Sequence, residues 1–318
     1  MAFILLIVGF VLLVKGADVF VDGSSGIARF LKIPSIVIGL TIVAFGTSAP
    51  EAAVSIIAGV NGSNDIAVGN VIGSNMFNLL GVLGISALIK PVNVDGQIVK
   101  KEFPFMLAAT AVFALTAFDT VLGSGEVNVI SRSEAFTLLI LMGIFLYSVI
   151  TFALRSRKES GDNNDDNDKP KSLLKCVLFT IGGLVGIIVG GQLVVDNASK
   201  IAENFGMSET LVGLTIVAVG TSLPELVTSI VAARKGESDI AIGNVVGSNV
   251  FNILFVLAAS AAITPMNINT QGLCDLLILV GISVIAYIFC VTKKTINRVE
   301  GGVLVLLYAA YMTFAIIR

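Results

Sequence analysis

The sequence predicts an all-α polytopic membrane protein of ten transmembrane helices, arranged as two inverted five-helix repeats with broken second and seventh helices at the centre. Three observations carry that expectation. Of the 318 residues, 55% are hydrophobic and only 13% charged, with a mean hydropathy of +0.96; a soluble domain carries about 25% charged residues. Apolar runs of roughly 18 or more residues, enough to cross the hydrocarbon core, recur from end to end. The chain also repeats itself: at an offset of 174, 26 of the 41 positions from Ile38 to Asn78 are identical to their counterparts.

The ten runs fall at about 2–22, 34–59, 65–89, 102–119, 133–154, 173–195, 209–233, 239–263, 272–292 and 299–317. The first begins almost at Met1, with no basic stretch before it and no A-x-A site after it, so it reads as a retained span and not a cleaved signal. Between the fifth and sixth runs lies RSRKESGDNNDDNDKPKS, the only long polar stretch. The chain thus divides into a first repeat (1–154), a polar linker (155–172) and a second repeat (173–318). The linker lacks the glycine and the final glutamate of a calcium-binding EF-hand loop, and reads as a tether.

Orientation follows from the loop cations. With the N-terminus outside, the cytoplasmic loops hold 16 Lys and Arg against three outside, with Lys15 inside a span. The positive-inside rule therefore puts both termini outside and the linker in the cytoplasm. Five spans per repeat is an odd number, so the second repeat enters the membrane from the opposite side. Inverted repeats of this kind build many secondary transporters, with the substrate site near the midplane where the repeats meet. The expected location is the plasma (inner) membrane.

Composition also excludes classes. The net charge of −2, without any basic patch, gives nucleic acid no footing. The absence of His removes the usual proton shuttle and the commonest zinc or copper ligand. Cys176, Cys274 and Cys290 are scattered through apolar runs and form no disulfide framework. Without a Ser-His-Asp set, P-loop or dinucleotide fingerprint, no enzyme is expected. No cofactor and no obligate protein partner is evident; the one surrounding the sequence calls for is the lipid bilayer.

The chemistry lies in a doubled motif. AFGTSAPEAAVS (44–55) returns as AVGTSLPELVTS (218–229). Pro50 has no N–H and its ring collides with the carbonyl of Gly46, so the second span is expected to unwind near Gly46 and Thr47. Freed carbonyls at membrane depth persist only when buried in protein or facing an ion or water. Thr47 and Glu51, at i and i+4, share a helix face. A carboxylate, hydroxyls and carbonyl oxygens then converge, all hard donors of the kind Ca²⁺ and Na⁺ prefer. The next span brings GNVIGSNMFN, with Ser74 and Asn78 on one face, and the second repeat supplies Thr221, Glu225, Ser248 and Asn252 in the same relation. A pseudo-two-fold axis in the membrane plane brings Glu51 and Glu225 face to face.

Each motif also has a plainer reading. An intramembrane carboxylate is a functional candidate by default, and neither glutamate has a nearby Lys or Arg to make it a structural ion pair. Lys15 and Asp18 read as interfacial anchors. Asp65 and Asp239, at the starts of the third and eighth spans, read as helix N-terminal charges that the helix dipole welcomes.

The two GTSxPE motifs, each followed by GNVxGSNxFN, resemble the cation/calcium exchanger superfamily over essentially the whole chain, and within it the prokaryotic sodium/calcium exchangers. The resemblance implies an antiporter that exchanges Na⁺ against Ca²⁺ by alternating access, normally extruding Ca²⁺, with three Na⁺ per Ca²⁺. It implies that Glu51 and Glu225 are the central calcium ligands, aided by the carbonyls of Thr47 and Thr221. It further implies sodium sites built from the hydroxyls of Thr47, Ser48, Ser74, Thr221, Ser222 and Ser248 and the carbonyls of Ala44 and Ala218, bordered by Asn78 and Asn252. Some potassium-dependent relatives place an aspartate where Asn252 stands, and the proton-coupled branch shows a histidine this chain lacks. Proton- or potassium-coupled exchange remains the alternative, and a passive cation channel a remote one.

Overall fold

The computed structural model describes residues 2–122, 127–159, 172–205 and 218–317. Among them seven helices are long and apolar enough to cross a membrane, or eight when a bent pair is taken as one span. The chain is therefore a multi-pass helical membrane protein. The helices are α1 (Ala2–Leu31), the bent pair α2 (Ser35–Thr47) and α3 (Ala49–Val60), α4 (Asn64–Ile89), α5 (Phe103–Ala117), α6 (Arg132–Glu159), α7 (Leu173–Asn204), α8 (Leu223–Lys235), α9 (Ser238–Ile263), α10 (Thr270–Lys293) and α11 (Arg298–Ile317). The expected fourth and seventh spans are the short ones. α5 has 15 residues after a π-helical turn at Ile98–Glu102, and α8 has 13 after the turn Ala218–Thr221. Residues 206–217 of the expected span 209–233 lie outside the described residues, as do 160–171 of the linker.

Several helices run beyond their apolar runs. α1 continues to Leu31 where the run ends near 22, α6 to Glu159 and α7 to Asn204. At about 1.5 Å per residue, the 30 residues of α1 span roughly 45 Å, more than the hydrocarbon core. In the extra turns of α1, Arg29 donates to Ser25 Oγ (3.0 Å); before them, Lys235 pairs with Asp18 (2.8 Å) and Asp22 (2.7 Å). Asp18 is therefore tied to another helix and is more than a headgroup anchor, whereas Lys15 stays exposed.

The layers follow from sequence polarity. α9 and α4 are the most enclosed spans, with 94% and 78% of their central windows buried, against 11% for α11. On α6 the exposed stripe Phe136, Ile140, Ile144, Tyr147, Ile150 and Leu154 recurs at helical spacing, an apolar face suited to lipid. α1 and α7 pack along their length through small residues; a Cβ on Gly16 would lie 2.7 Å from the backbone nitrogen of Ile187. The three cysteines form no disulfide; Cys176 and Cys290 are buried in apolar packing.

Two short strand pairs close the ends. Val92–Asn93 pairs antiparallel with Thr295–Ile296, and Val129–Ile130 with Met266–Asn267. The first pair lies with the end where Lys90 donates to the Arg234 carbonyl (3.3 Å) and Arg29 approaches Glu237 (4.0 Å). The second lies with the end where Arg132 donates to the Ile263 carbonyl (3.1 Å) and Asn269 to Asp65 (3.0 Å). Each pair joins a loop of the first repeat to a loop of the second. Asp65 and Asp239 do sit in the first turns of α4 and α9, without forming a side-chain capping bond there.

Candidate cation site

The centre is assembled by two breaks. α2 and α3 meet at 50° around a single non-helical residue, Ser48 (φ −84°, ψ 9°). Ser222 (φ −91°, ψ 6°) is its counterpart before α8. The break expected at Gly46 and Thr47 thus falls one residue later. Proline in the first turn of a helix has no donor to waste. The chain therefore restarts at Ala49 with Pro50 in that turn, and the irregularity collapses onto Ser48. The Ala44 carbonyl still accepts the Ser48 N–H (3.0 Å), together with the hydroxyls of Thr47 (3.4 Å) and Ser248 (3.5 Å). The Ala218 carbonyl belongs to the turn Ala218–Thr221.

Placing each break beside the other repeat takes close approach. A Cβ on Gly247 would meet the Leu40 carbonyl at 2.7 Å and the Ala44 methyl at 2.8 Å. Only glycine lets α9 lie this near α2, and that proximity brings Ser248 to the Ala44 carbonyl. Both α4 and α9 widen into π-helical turns at Phe77–Val82 and Asn252–Leu257, which contain Asn78 and Asn252. Single π turns commonly mark functional positions.

The carboxylates are served crosswise. Ser48 donates to Glu225 Oε1 (2.8 Å) and Ser222 donates to Glu51 Oε1 (2.8 Å), so the hydroxyl of each repeat holds the acid of the other. Thr47 likewise faces Glu225, and Thr221 faces Glu51. Ser222 also reaches Ser74 (3.3 Å). Both glutamates are 1% exposed, and neither has a cation as partner among the described residues. Among the described residues the second oxygen of each, Oε2, is buried without a hydrogen-bond partner, and so are Asn78 Oδ1 and Asn252 Oδ1. Buried acceptors left without donors are costly. Four of them in two repeat-related pairs are complementary to a bare cation.

The structure therefore links Thr47, Ser48, Glu51, Ser74, Thr221, Ser222, Glu225 and Ser248 through the crossed bonds and the Ala44 carbonyl, while Asn78 and Asn252 bond to other asparagines. Sequence reasoning missed the asparagine frame around them. Asn78 donates to Asn249 Oδ1 (3.2 Å) and Asn252 to Asn75 Oδ1 (3.1 Å), while Asn249 reaches Met106 Sδ (3.6 Å). Asn70 and Asn244 grip the acid-bearing helices from outside. A signal existed: Ser55, Asn70 and Asn75 are each identical to the residue 174 further on, inside otherwise apolar spans.

The donor set is two carboxylates, hydroxyls, amide oxygens and carbonyls. Among the described residues no group of three or more His, Cys, Asp or Glu gathers. Two formal charges on hard oxygens suit Ca²⁺ or Na⁺ better than a soft metal.

Comparison with known proteins places this arrangement. The family model for sodium/calcium exchanger protein matches residues 1–151 and 175–317. The sodium/calcium exchanger MaX1 of Methanosarcina acetivorans is 34% identical over 98% of this chain and 97% of its own length. The inner membrane protein YrbG of Escherichia coli is 38% identical over 90% of this chain and 87% of its own. Among solved structures, the sodium-calcium exchanger NCX_Mj soaked with 2.5 mM Na⁺ and 0.1 mM Ca²⁺ superposes with a TM-score of 0.84. It is 33% identical and covers 98% of this chain and 97% of that one.

Proposed function

Because this chain belongs to the sodium/calcium exchanger protein family, we propose that it is a secondary antiporter that exchanges Na⁺ for Ca²⁺ by alternating access. The observation that carries the reading is the crossed pair of buried glutamates, each holding one hydroxyl and keeping one oxygen for a cation. In this reading Glu51 and Glu225 bind Ca²⁺ with the carbonyls of Thr47 and Thr221. Na⁺ takes the hydroxyls of Thr47, Ser48, Ser74, Thr221, Ser222 and Ser248 and the carbonyls of Ala44 and Ala218, with Asn78 and Asn252 bordering the centre.

Charge sets the coupling. Two ionised carboxylates are neutralised by one Ca²⁺, and the same oxygens can instead hold several Na⁺ but not both loads at once. Competition for one donor set is what makes two ions exchange. With three Na⁺ against one Ca²⁺, one net charge moves per cycle, worth about 2.3 kcal/mol per 100 mV, and an inward Na⁺ gradient drives Ca²⁺ out. We place ten spans in two inverted five-helix repeats (1–154 and 173–318) joined by a cytoplasmic linker, with both termini outside. The loops gathered at the Lys90–Arg234 end are those whose cations vote for the cytoplasm, and each strand pair joins a loop to a loop of the other repeat, as inversion requires.

The test is isotope flux in proteoliposomes. Ca²⁺ uptake should follow an imposed outward Na⁺ gradient, respond to membrane potential, and proceed without K⁺ or a pH gradient. Uptake indifferent to Na⁺ removes the coupling; flux driven by pH alone, or lost without K⁺, selects the proton- or potassium-coupled alternative.

A further inference from the structure

Asn244 lies outside the ligand set described above, yet it is fully buried between the two breaks. Both ends of its amide are engaged. Nδ2 donates to Ser229 Oγ (3.0 Å) and to the backbone carbonyl of Glu225 (3.4 Å), and Oδ1 accepts the hydroxyl of Thr47 (3.0 Å) from the opposite repeat. Asn70 repeats the first half of this pattern, donating to Ser55 Oγ (2.8 Å) and to the carbonyl of Glu51 (3.2 Å). In both repeats an asparagine one helix away grips the carbonyl of the glutamate itself and the serine one turn below it.

We propose that Asn244, with Asn70 as its counterpart, is a positioning residue for cation binding: it fixes the acid-bearing helix and turns the Thr47 hydroxyl so that only oxygen lone pairs face the cation. The inference rests on the exchanger reading and adds residues to it. A threonine has one proton to give. Asn244 Oδ1 at 3.0 Å is nearer than the Ala44 carbonyl at 3.4 Å, so the proton goes to Asn244. The side of the oxygen turned toward Glu225 then offers only lone pairs. With the hydroxyl proton held by Asn244, the Glu225 carboxylate that Thr47 faces is left to a cation. The amide is suited to this work. An alanine here frees the Thr47 proton to close onto Glu225 and compete with the cation.

The experiment is a double-mutant cycle on Na⁺-driven Ca²⁺ flux in proteoliposomes, using Thr47→Val, Asn244→Ala and the pair. Each single change should raise the half-saturating Na⁺ concentration roughly 10-fold. The double variant should stay near the larger single effect, because both remove one interaction. Thr47→Val with Asn70→Ala, which share no hydrogen bond, should multiply to roughly 100-fold. If the Thr47–Asn244 effects multiply too, or if only maximal flux falls, the positioning role is wrong. Should Asn244→Ala not fold, the same cycle with Asn244→Ser decides by the same criterion. Wild-type protein that shows no Na⁺-driven flux overturns the exchanger reading instead, so the two failures are distinct.

Discussion

The central motif helices and the outer pair α1 and α7 descend from the same duplication, yet each kept something different. At the centre, particular side-chain bonds are repeated. The crossed bonds Ser48–Glu225 and Ser222–Glu51 are both 2.8 Å, and Asn78–Asn249 and Asn252–Asn75 agree within 0.1 Å. In the outer pair, what is repeated is smallness. Gly9 and Gly16 return as Gly183 and Gly190, while Asp18 and Gly23 return as Gln192 and Asn197. Binding a cation needs particular oxygens at particular points. Packing two helices in lipid needs only that nothing be large at their crossing.

The largest effect expected of this division lies at the centre. Glu51→Gln and Glu225→Gln should each cut Na⁺-dependent Ca²⁺ flux by on the order of 100-fold or more, since a buried ligand charge is worth several kcal/mol, while the thermal midpoint in detergent holds or rises. Near-normal flux in either variant breaks the comparison. Next come Ser48→Ala and Ser222→Ala. Each removes a hydrogen bond to a charged group, about 1.5–3 kcal/mol, and should raise half-saturating Ca²⁺ by roughly 10- to 100-fold. The two effects should match within a few-fold, because the bonds do.

In the outer pair the signs reverse. Gly16→Val drives a side chain into the α7 backbone and should cost about 1–3 kcal/mol, read as a lower melting temperature and less protein in the membrane, with ion affinities in the surviving fraction unchanged. Lys235→Met, which unties α1 from α8, should cost at most about 1 kcal/mol, because both acids it pairs with are nearly half exposed. Smallest of all, Ile140→Ala on the lipid-facing stripe of α6 should move stability by less than about 0.5 kcal/mol.

Much of this was legible in the residues. Hydropathy marked the spans, because a helix in lipid satisfies its own backbone and shows lipid only its side chains. Where spans ended was less legible. α1 runs on to Leu31 through turns in which Arg29 donates to Ser25, a partnership hydropathy does not see. The fourth span begins in a π turn, Ile98–Glu102, that runs straight into α5, and residues 209–217 of the expected seventh lie outside the described residues. The asparagines at 70, 75, 244 and 249 were hidden for another reason. Buried amides are common interhelical bonds, and only their partners distinguish a brace from a ligand.

By itself the sequence determined the class of molecule, its internal duplication, and the two acids with their hydroxyl neighbours, because each of these is a property of composition or of spacing along one helix. Only the tertiary structure decided that Ser48 serves Glu225 and Ser222 serves Glu51, that the break falls at Ser48, and that Asn244 takes the proton of Thr47. Helical spacing fixes which residues share a face, but it carries no information about which face lies opposite. That is set by how two repeats interlock, through contacts between residues more than 170 positions apart.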